Sequence, residues 1–221
     1  MATEAKSERP LRADAERNRL RILDAAADLF AERGLHVSLD EVAERAGVGV
    51  GTVYRRFADR EALIDAVLES RIEQFIGIAE SASANPDPWE GLREFVERGA
   101  EFHGRNRALK ELMFSAPGGR EWVDGVRRRM RPLTTGLVTA AKEQGKLRND
   151  LDPLDVPLTM LMLASAIEFT ADTGPDNWRR LLGIVLDGFA SERDRPTPLE
   201  ADPLTQRQLT RAMERSSRRP G

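Results

Sequence analysis

Apolar side chains recur every third or fourth position in one segment of this chain after another, the spacing that lays them along one face of an α-helix. The first segment runs from about residue 13 to 33. Leu20, Leu23, Ala27 and Phe30 share a face, Ile22, Ala26 and Leu29 lie beside them, and Gly34 ends it. The period resumes with Leu39, Val42, Ala43 and Ala46. Ser38 stands three residues before Glu41, the S-x-x-E box that satisfies free amides at a helix start. Gly47 falls where a left-handed residue would close this helix, since glycine carries no Cβ penalty there. After Gly49 a second short helix begins, with Val48, Val53 and Phe57 available to face back onto the first. That leaves Val50, Gly51, Thr52, Tyr54, Arg55 and Arg56 outward. Two helices around a glycine turn, the second outwardly small, hydroxylated and basic, have the design of a DNA-reading helix-turn-helix.

Asp59 N-caps a long helix to about residue 82, with a continuous apolar face of Leu63, Ile64, Val67, Leu68, Ile72, Phe75, Ile76 and Ala79. The loop over 81–88 marks a domain boundary. Asp87-Pro88-Trp89-Glu90 supplies a cap, a proline at the first helical position and an acid in the first turn. It opens a helix to about 105 that buries Leu92, Phe95, Val96 and Phe102. A short helix is expected over 107–115 and a longer one over 120–144, which Pro132 should kink or interrupt. Asp152-Pro153 repeats the starting device for a helix to about 172. From Val156 to Phe169 it is apolar nearly all round and must be covered on both sides. Pro175 and Asp176 open the last helix, with Trp178, Leu181, Leu182, Val185, Leu186 and Phe189 in register. The fold class is all-α, with about nine helices. Residues 1–12 read as a disordered arm, 13–60 as the DNA-binding domain, and 61–192 as a second helical domain, the two joined by helix 59–82. Residues 193–221, with Pro196, Pro198 and Pro203, read as a disordered tail.

Composition narrows the chemistry. The 221 residues can bury a sizeable core in one or two domains. With no cysteine there is no disulfide, thiolate metal site or thiol nucleophile, and His36 and His103 are too few for a histidine-built metal site. No G-x-S-x-G, P-loop or H-E-x-x-H is present. The GVGVG run at 47–51 lacks the preceding strand and following lysine of a phosphate cradle. An enzyme and a cofactor are therefore not expected. No apolar stretch approaches the ~20 residues that span a bilayer, and no apolar leader follows the first residues, so a cytoplasmic protein is expected, without a membrane partner.

The net charge of −3 looks wrong for a DNA-binding protein until it is divided. Residues 1–60 are neutral, 61–192 hold 16 Lys/Arg against 22 Asp/Glu, and 193–221 hold 7 against 4. Arg9, Arg12, Arg17, Arg19 and Arg21 cluster ahead of the helix-turn-helix, and Arg55, Arg56 and Arg60 follow its turn. Such local patches engage phosphates. The basic run over 127–131 reads as a solvated helix face.

The segment AERAGVGVGTVYRRFADREALIDAVL also resembles the DNA-binding segment of the TetR family of bacterial transcription regulators, whose pattern is approximately (I/V)AxxAGVxxGT(L/V)YxxFxx(K/R)xxL. Val42-Ala43, Ala46-Gly47-Val48, Gly51-Thr52-Val53-Tyr54, Phe57, Arg60 and Leu63 match it. The resemblance is close over about residues 20–68; beyond them it lies in the rhythm of helices. It implies a regulator, above all a repressor, that binds palindromic double-stranded operator DNA as a homodimer and is released by a small-molecule effector. A ligand-independent DNA-binding protein or an activator of the same fold is the alternative. By resemblance Ser38, Thr52, Tyr54, Arg56 and Arg60 fall at phosphate-holding positions, and Val50, Gly51 and Arg55 at positions facing base edges. Gly49 and Val50 replace the capping and long polar residues frequent in the family, which puts more weight on Arg55, the N-terminal arm and DNA shape. The last two helices match the family's dimerisation pair, here represented by Leu161, Trp178, Leu182, Val185 and Phe189. A mostly apolar effector pocket is expected among Phe102, Met113, Phe114, Trp122, Met130, Met162, Glu168 and Phe169, because methionines and aromatics make adaptable walls. An inward Glu168 would favour a cationic or hydrogen-bond-donating ligand.

Overall fold

The computed structural model describes residues 5–106, 120–192 and 202–216, with side chains placed for 14, 16–106, 125–192 and 202–211. These residues form α1 (Ala5–Arg33), α2 (Leu39–Ala46), α3 (Val50–Arg56), α4 (Arg60–Ser83), α5 (Pro88–Arg105), α6 (Arg120–Glu143), α7 (Asp155–Thr170), α8 (Asn177–Phe189) and α9 (Gln206–Ser216). The one extended pairing described is an isolated antiparallel bridge between Leu147 and Ala190. The chain divides into two compact units, one built on α1–α3 with α4 up to Gln74, the other on α4 from Phe75 and α5–α9.

In the first unit the periodic positions meet as expected except Leu20, at the head of the predicted face of α1, which is 44% exposed. Ile22, Leu23, Ala26, Leu29 and Phe30 of α1 pack with Leu39, Val42, Ala43 and Ala46 of α2, Val53 of α3, Phe57 beyond it, and Leu63 and Val67 of α4. Val42 and Val53 are wholly buried. Burying an aliphatic side chain of this size stabilises the fold by about 1.5–3 kcal/mol. Asp59 caps α4 by accepting from the Ala62 amide at 2.8 Å. The expected arm is helical from Ala5, within α1. Its alanine, lysine, glutamate and arginine are good helix formers, and Asp14–Arg17 and Glu16–Arg19 pair at i,i+3 in the following turns.

The second unit is assembled around α5. Helix α4 returns antiparallel to it: Gly91 sits against the Ala82 carbonyl, and Phe75 stacks on Phe102 with ring centroids 5.1 Å apart. Helix α7 runs beside α5 in the same direction, Met160 lying on Gly99 and Ile167 on Gly104. A Cβ at Gly99 would stand 2.5 Å from Met160 Sδ, so any larger residue there would force the methionine to move. Around the seam lie Leu92, Phe95, Val96, Leu137, Val138, Leu147, Leu163, Trp178, Leu182 and Leu186. One end of the unit is fastened by Asp87, which accepts from Lys146 Nζ at 2.9 Å, Gln144 Nε2 at 3.0 Å and the amides of Trp89 and Glu90. The Lys146 and Gln144 hydrogen bonds, then the Glu90 amide, hold the Asp87 carboxyl at about 2, below its ordinary 3.8. On α8, Arg179 reaches across to Glu97 and to Glu101 at 2.8 Å on α5.

Three more expectations change. Of the two outcomes expected at Pro132, interruption does not occur: helix α6 continues through the proline, which is exposed, so water can satisfy the carbonyl that it leaves unbonded. Pro153 and Leu154 form a turn, and α7 starts at Asp155, whose carboxylate accepts from the Asp152 amide at 2.7 Å. The expected disordered tail contains α9. Thr205 and Gln208 close a capping box at its start: the Thr205 amide donates to Gln208 Oε1 at 2.8 Å and the Gln208 amide to Thr205 Oγ1 at 3.3 Å. The T-x-x-Q signal is present in the sequence but is masked by the three prolines before it. The short helix expected over 107–115, and residues 1–4, 193–201 and 217–221, lie outside the described residues.

Candidate nucleic-acid interface

The helix-turn-helix is fixed from within. Ser38 and Glu41 form the full capping box: the Ser38 amide donates to Glu41 Oε2 at 2.9 Å and the Glu41 amide to Ser38 Oγ at 3.3 Å. The Ser38 amide and hydroxyl pull the Glu41 carboxyl below its ordinary value. Gly47 closes α2 at φ 63° and ψ 39°, its amide and that of Val48 returning to carbonyls of the last turn. Gly49 begins α3 without a side-chain cap. Val53 and Phe57 then turn inward, fully and almost fully buried. By the 3.6-residue period the rest of α3 must face outward, and it does. Val50 is 43% exposed and Tyr54 51%, with Gly51, Arg55 and Arg56 also exposed and Thr52 half-buried. Arg55 Nη2 donates to Thr52 Oγ1 at 3.1 Å, folding the guanidinium back over the first turn beside Gly51. The candidate base-facing and phosphate-facing groups of α3 thus share one open surface, and Arg60 is exposed at the first position of α4. Ser38 lies at the start of α2, its hydroxyl engaged in the cap.

The arginines ahead of the motif are partly occupied by the protein itself. Arg17 pairs with Asp14, and Arg19 lies 3.8 Å from Glu16. Arg21 Nη2 donates to the Ala46 carbonyl at 2.7 Å, completing the end of α2 beside Gly47. Sequence reading placed Arg21 in a basic patch, and nothing in its spacing reveals this capping role, which needs α1 and α2 in contact. Arg45 grips Glu32 with both terminal nitrogens, at 3.0 and 2.8 Å, tying α2 to α1 and lowering the Glu32 carboxyl. Arg9 and Arg12 have no described side chains.

Residues 22–67 match the family model described as bacterial regulatory proteins, tetR family, and residues 87–191 match one described as the SbtR-like transcriptional regulator C-terminal domain. A TetR transcription regulatory protein from Mycobacterium vanbaalenii superposes with a TM-score of 0.64 at 31% identity, covering 82% of this chain and 99% of that one. The chain belongs to the TetR family. The regulator SCO0520 from Streptomyces coelicolor is likewise 31% identical, with a TM-score of 0.62 over 81% of this chain and 99% of that one. The HTH-type transcriptional repressor KstR2 of Rhodococcus jostii (strain RHA1) is 27% identical over 192 residues, which are 78% of this chain and 91% of that protein. This TetR-family chain is thus a transcriptional regulator with a DNA-binding helix-turn-helix.

The residues expected to form the sites of the C-terminal domain of the TetR-family chain differ in exposure. Of the expected dimer residues, Trp178 and Leu182 are buried in the subunit's own core, and Leu161, Val185 and Phe189 are half-buried. Exposed apolar side chains include Leu158 (64% exposed) and Met162 (54%), one turn apart on α7, Leu154 (69%) one turn before them, and Leu181 (39%) and Ile184 (52%) on α8. A helix apolar all round gives no signal of which stripe serves which side, so the sequence could not choose. Of the expected pocket residues, Phe102 is buried in an aromatic group with Phe75 and His103, and Met130 packs on the core. Glu168 and Phe169 are half-buried, whereas Met162 lies on the exposed stripe. Met113 and Phe114, and the side chain of Trp122, lie outside the described residues. Beside the stripe, a groove of about 520 Å³ runs between Leu151, Leu158, Thr159, Met162, Val185 and Phe189. Among the described residues no helix is long and apolar enough to cross a membrane, and no cluster of ligating side chains has metal-binding geometry.

Proposed function

We propose that this regulator is a repressor that binds palindromic operator DNA as a homodimer and is released by a small-molecule effector. The observation that carries the reading is the uncovered apolar stripe of Leu158, Met162, Leu181 and Ile184. Exposed leucine, methionine and isoleucine on two helices that pack together mark an association surface. A second copy related by a two-fold axis covers such a surface with its own, and the same axis pairs two recognition helices. Half-sites then lie about one helical turn apart or a little more. Repression is supported by the relative named a transcriptional repressor. Phosphates engage Ser38, Thr52, Tyr54, Arg56 and Arg60, while Val50, Gly51 and Arg55 meet base edges, with Arg55 suited to guanine O6 and N7. In vitro transcription from a promoter carrying the selected operator tests repression: added protein should lower transcript, and a rise would make the chain an activator.

The effector part of the reading has a rival. The α5–α7 seam is closely packed, Met160 on Gly99 and Ile167 on Gly104, which favours a ligand-independent DNA-binding protein. Coupling separates the two. An effector that weakens operator binding must itself be weakened by operator in the same ratio. Calorimetry of a candidate ligand with and without saturating operator should give different affinities; equal affinities would leave the ligand-independent reading.

A further inference from the structure

We infer that the groove between α7 and α8 binds a small neutral molecule, an apolar body carrying one hydrogen-bonding oxygen that meets the Thr159 hydroxyl. The groove lies wholly within the second unit. Of the residues expected to line an effector pocket it uses Met162 alone. The inference stands on the groove and does not need the effector reading.

Thr159 gives the first support. The residue is only 9% exposed. The other two hydroxyls of α7 each return to a carbonyl one turn back: Thr170 Oγ1 donates to Ala166 at 2.8 Å and Ser165 Oγ to Leu161 at 3.0 Å. Thr159 makes no such bond, and among the described residues no other group bonds its hydroxyl. Yet no fully enclosed side-chain oxygen or nitrogen described here lacks a partner. The Thr159 hydroxyl therefore reaches the surface, and the surface that Thr159 lines is the groove. A hydroxyl held so deep forgoes hydrogen bonding that a bound oxygen restores.

The walls are the second support. Leu151, Leu158, Met162, Val185 and Phe189 surround the hydroxyl with aliphatic, thioether and aromatic groups. A space of about 520 Å³ is the size of a small-molecule site, whose usual form is an apolar cleft with few polar groups.

Charge supplies the third. Arg148, Asp150 and Asp155 also line the groove, but each is already engaged. Arg148 donates from Nε and Nη2 to Asp150 at 2.6 and 2.8 Å, and from Nη1 to the Gly188 carbonyl at 3.1 Å. Asp155 accepts from the Asp152 amide at 2.7 Å in the first turn of α7, where the free amides of the helix offset its charge. An ionic ligand would have to break one of these arrangements. A neutral one leaves them intact.

The test uses the full chain with labelled Leu, Met, Thr and Val methyls, 1-octanol as the probe, and octanoate and octylammonium as its charged counterparts. By NMR, 1-octanol should shift the methyls of Leu158, Thr159, Met162 and Val185 saturably, with both ions roughly tenfold weaker or more. Thr159→Val keeps the shape of the side chain and removes the hydroxyl. It should weaken 1-octanol roughly two- to tenfold without lowering the thermal midpoint. Equal binding by wild type and Thr159→Val overturns the inference, as does equal binding of the alcohol and either ion. Shifts centred on Met160 in the α5–α7 seam also overturn it, by placing the ligand elsewhere. Binding confined to monomers of Ile184→Arg would assign the groove to side chains of a second copy and overturn it too.

Discussion

Removing the guanidinium of Arg55 should cost about 1–3 kcal/mol of operator binding and relax preference at one or two base pairs, as read by selection on randomised operators. Uniform weakening with the preference intact would place Arg55 among the phosphate contacts. Gly47 makes a different kind of demand. At φ 63° a side chain is strained, and a Cβ would also stand 3.1 Å from the Arg21 nitrogen that caps α2. Gly47→Ala should therefore destabilise the first unit by about 1–2 kcal/mol in urea denaturation. Asp87 adds a pH dependence. Its folded-state carboxyl titrates at about 2, below the ordinary 3.8, so the contribution is complete above the ordinary value and disappears as pH falls towards 2. The thermal midpoint of Asp87→Asn should accordingly fall below wild type at neutral pH and converge with it in acid.

At the scale of elements, the α5–α7 seam gives the clearest experiment. Gly99→Ala drives a methyl into Met160 and should cost about 1–3 kcal/mol. Pairing it with Met160→Ala should cost less than the two single changes added together, because the second change removes what the first collides with. Simple additivity would show that the helices can part freely. The same seam shows where sequence reading stops. The S-x-x-E box, the inward Val53 and Phe57, and the Asp59 and Asp87 caps are local, and each was legible from spacing alone. Met160 on Gly99, Arg21 on the end of α2, and the choice of Leu182 for the core and Ile184 for the surface depend on which helices become neighbours. Period identifies a face, but on α7, apolar all round, it cannot assign that face a partner. Helix α9 is hidden in the sequence for another reason: the prolines before it outweigh a four-residue cap.

For the whole molecule, the exposed stripe separates association from folding. Leu158→Arg and Ile184→Arg change residues that touch water in the single chain, so both should yield helical, cooperatively melting monomers in sedimentation. Leu182→Arg puts a charge into the core and should unfold the subunit. A wild-type chain that sediments as a monomer at micromolar concentration while still binding its operator tightly would refute the paired arrangement. If the stripe is covered only by a second copy, protein abundance itself becomes an input to control. At dilutions where single chains predominate, the DNA-competent species grows with the square of the total concentration, so halving the protein cuts it fourfold. Daughter cells that inherit unequal numbers of molecules would then differ in promoter output by more than their share of the protein, with no signal molecule involved.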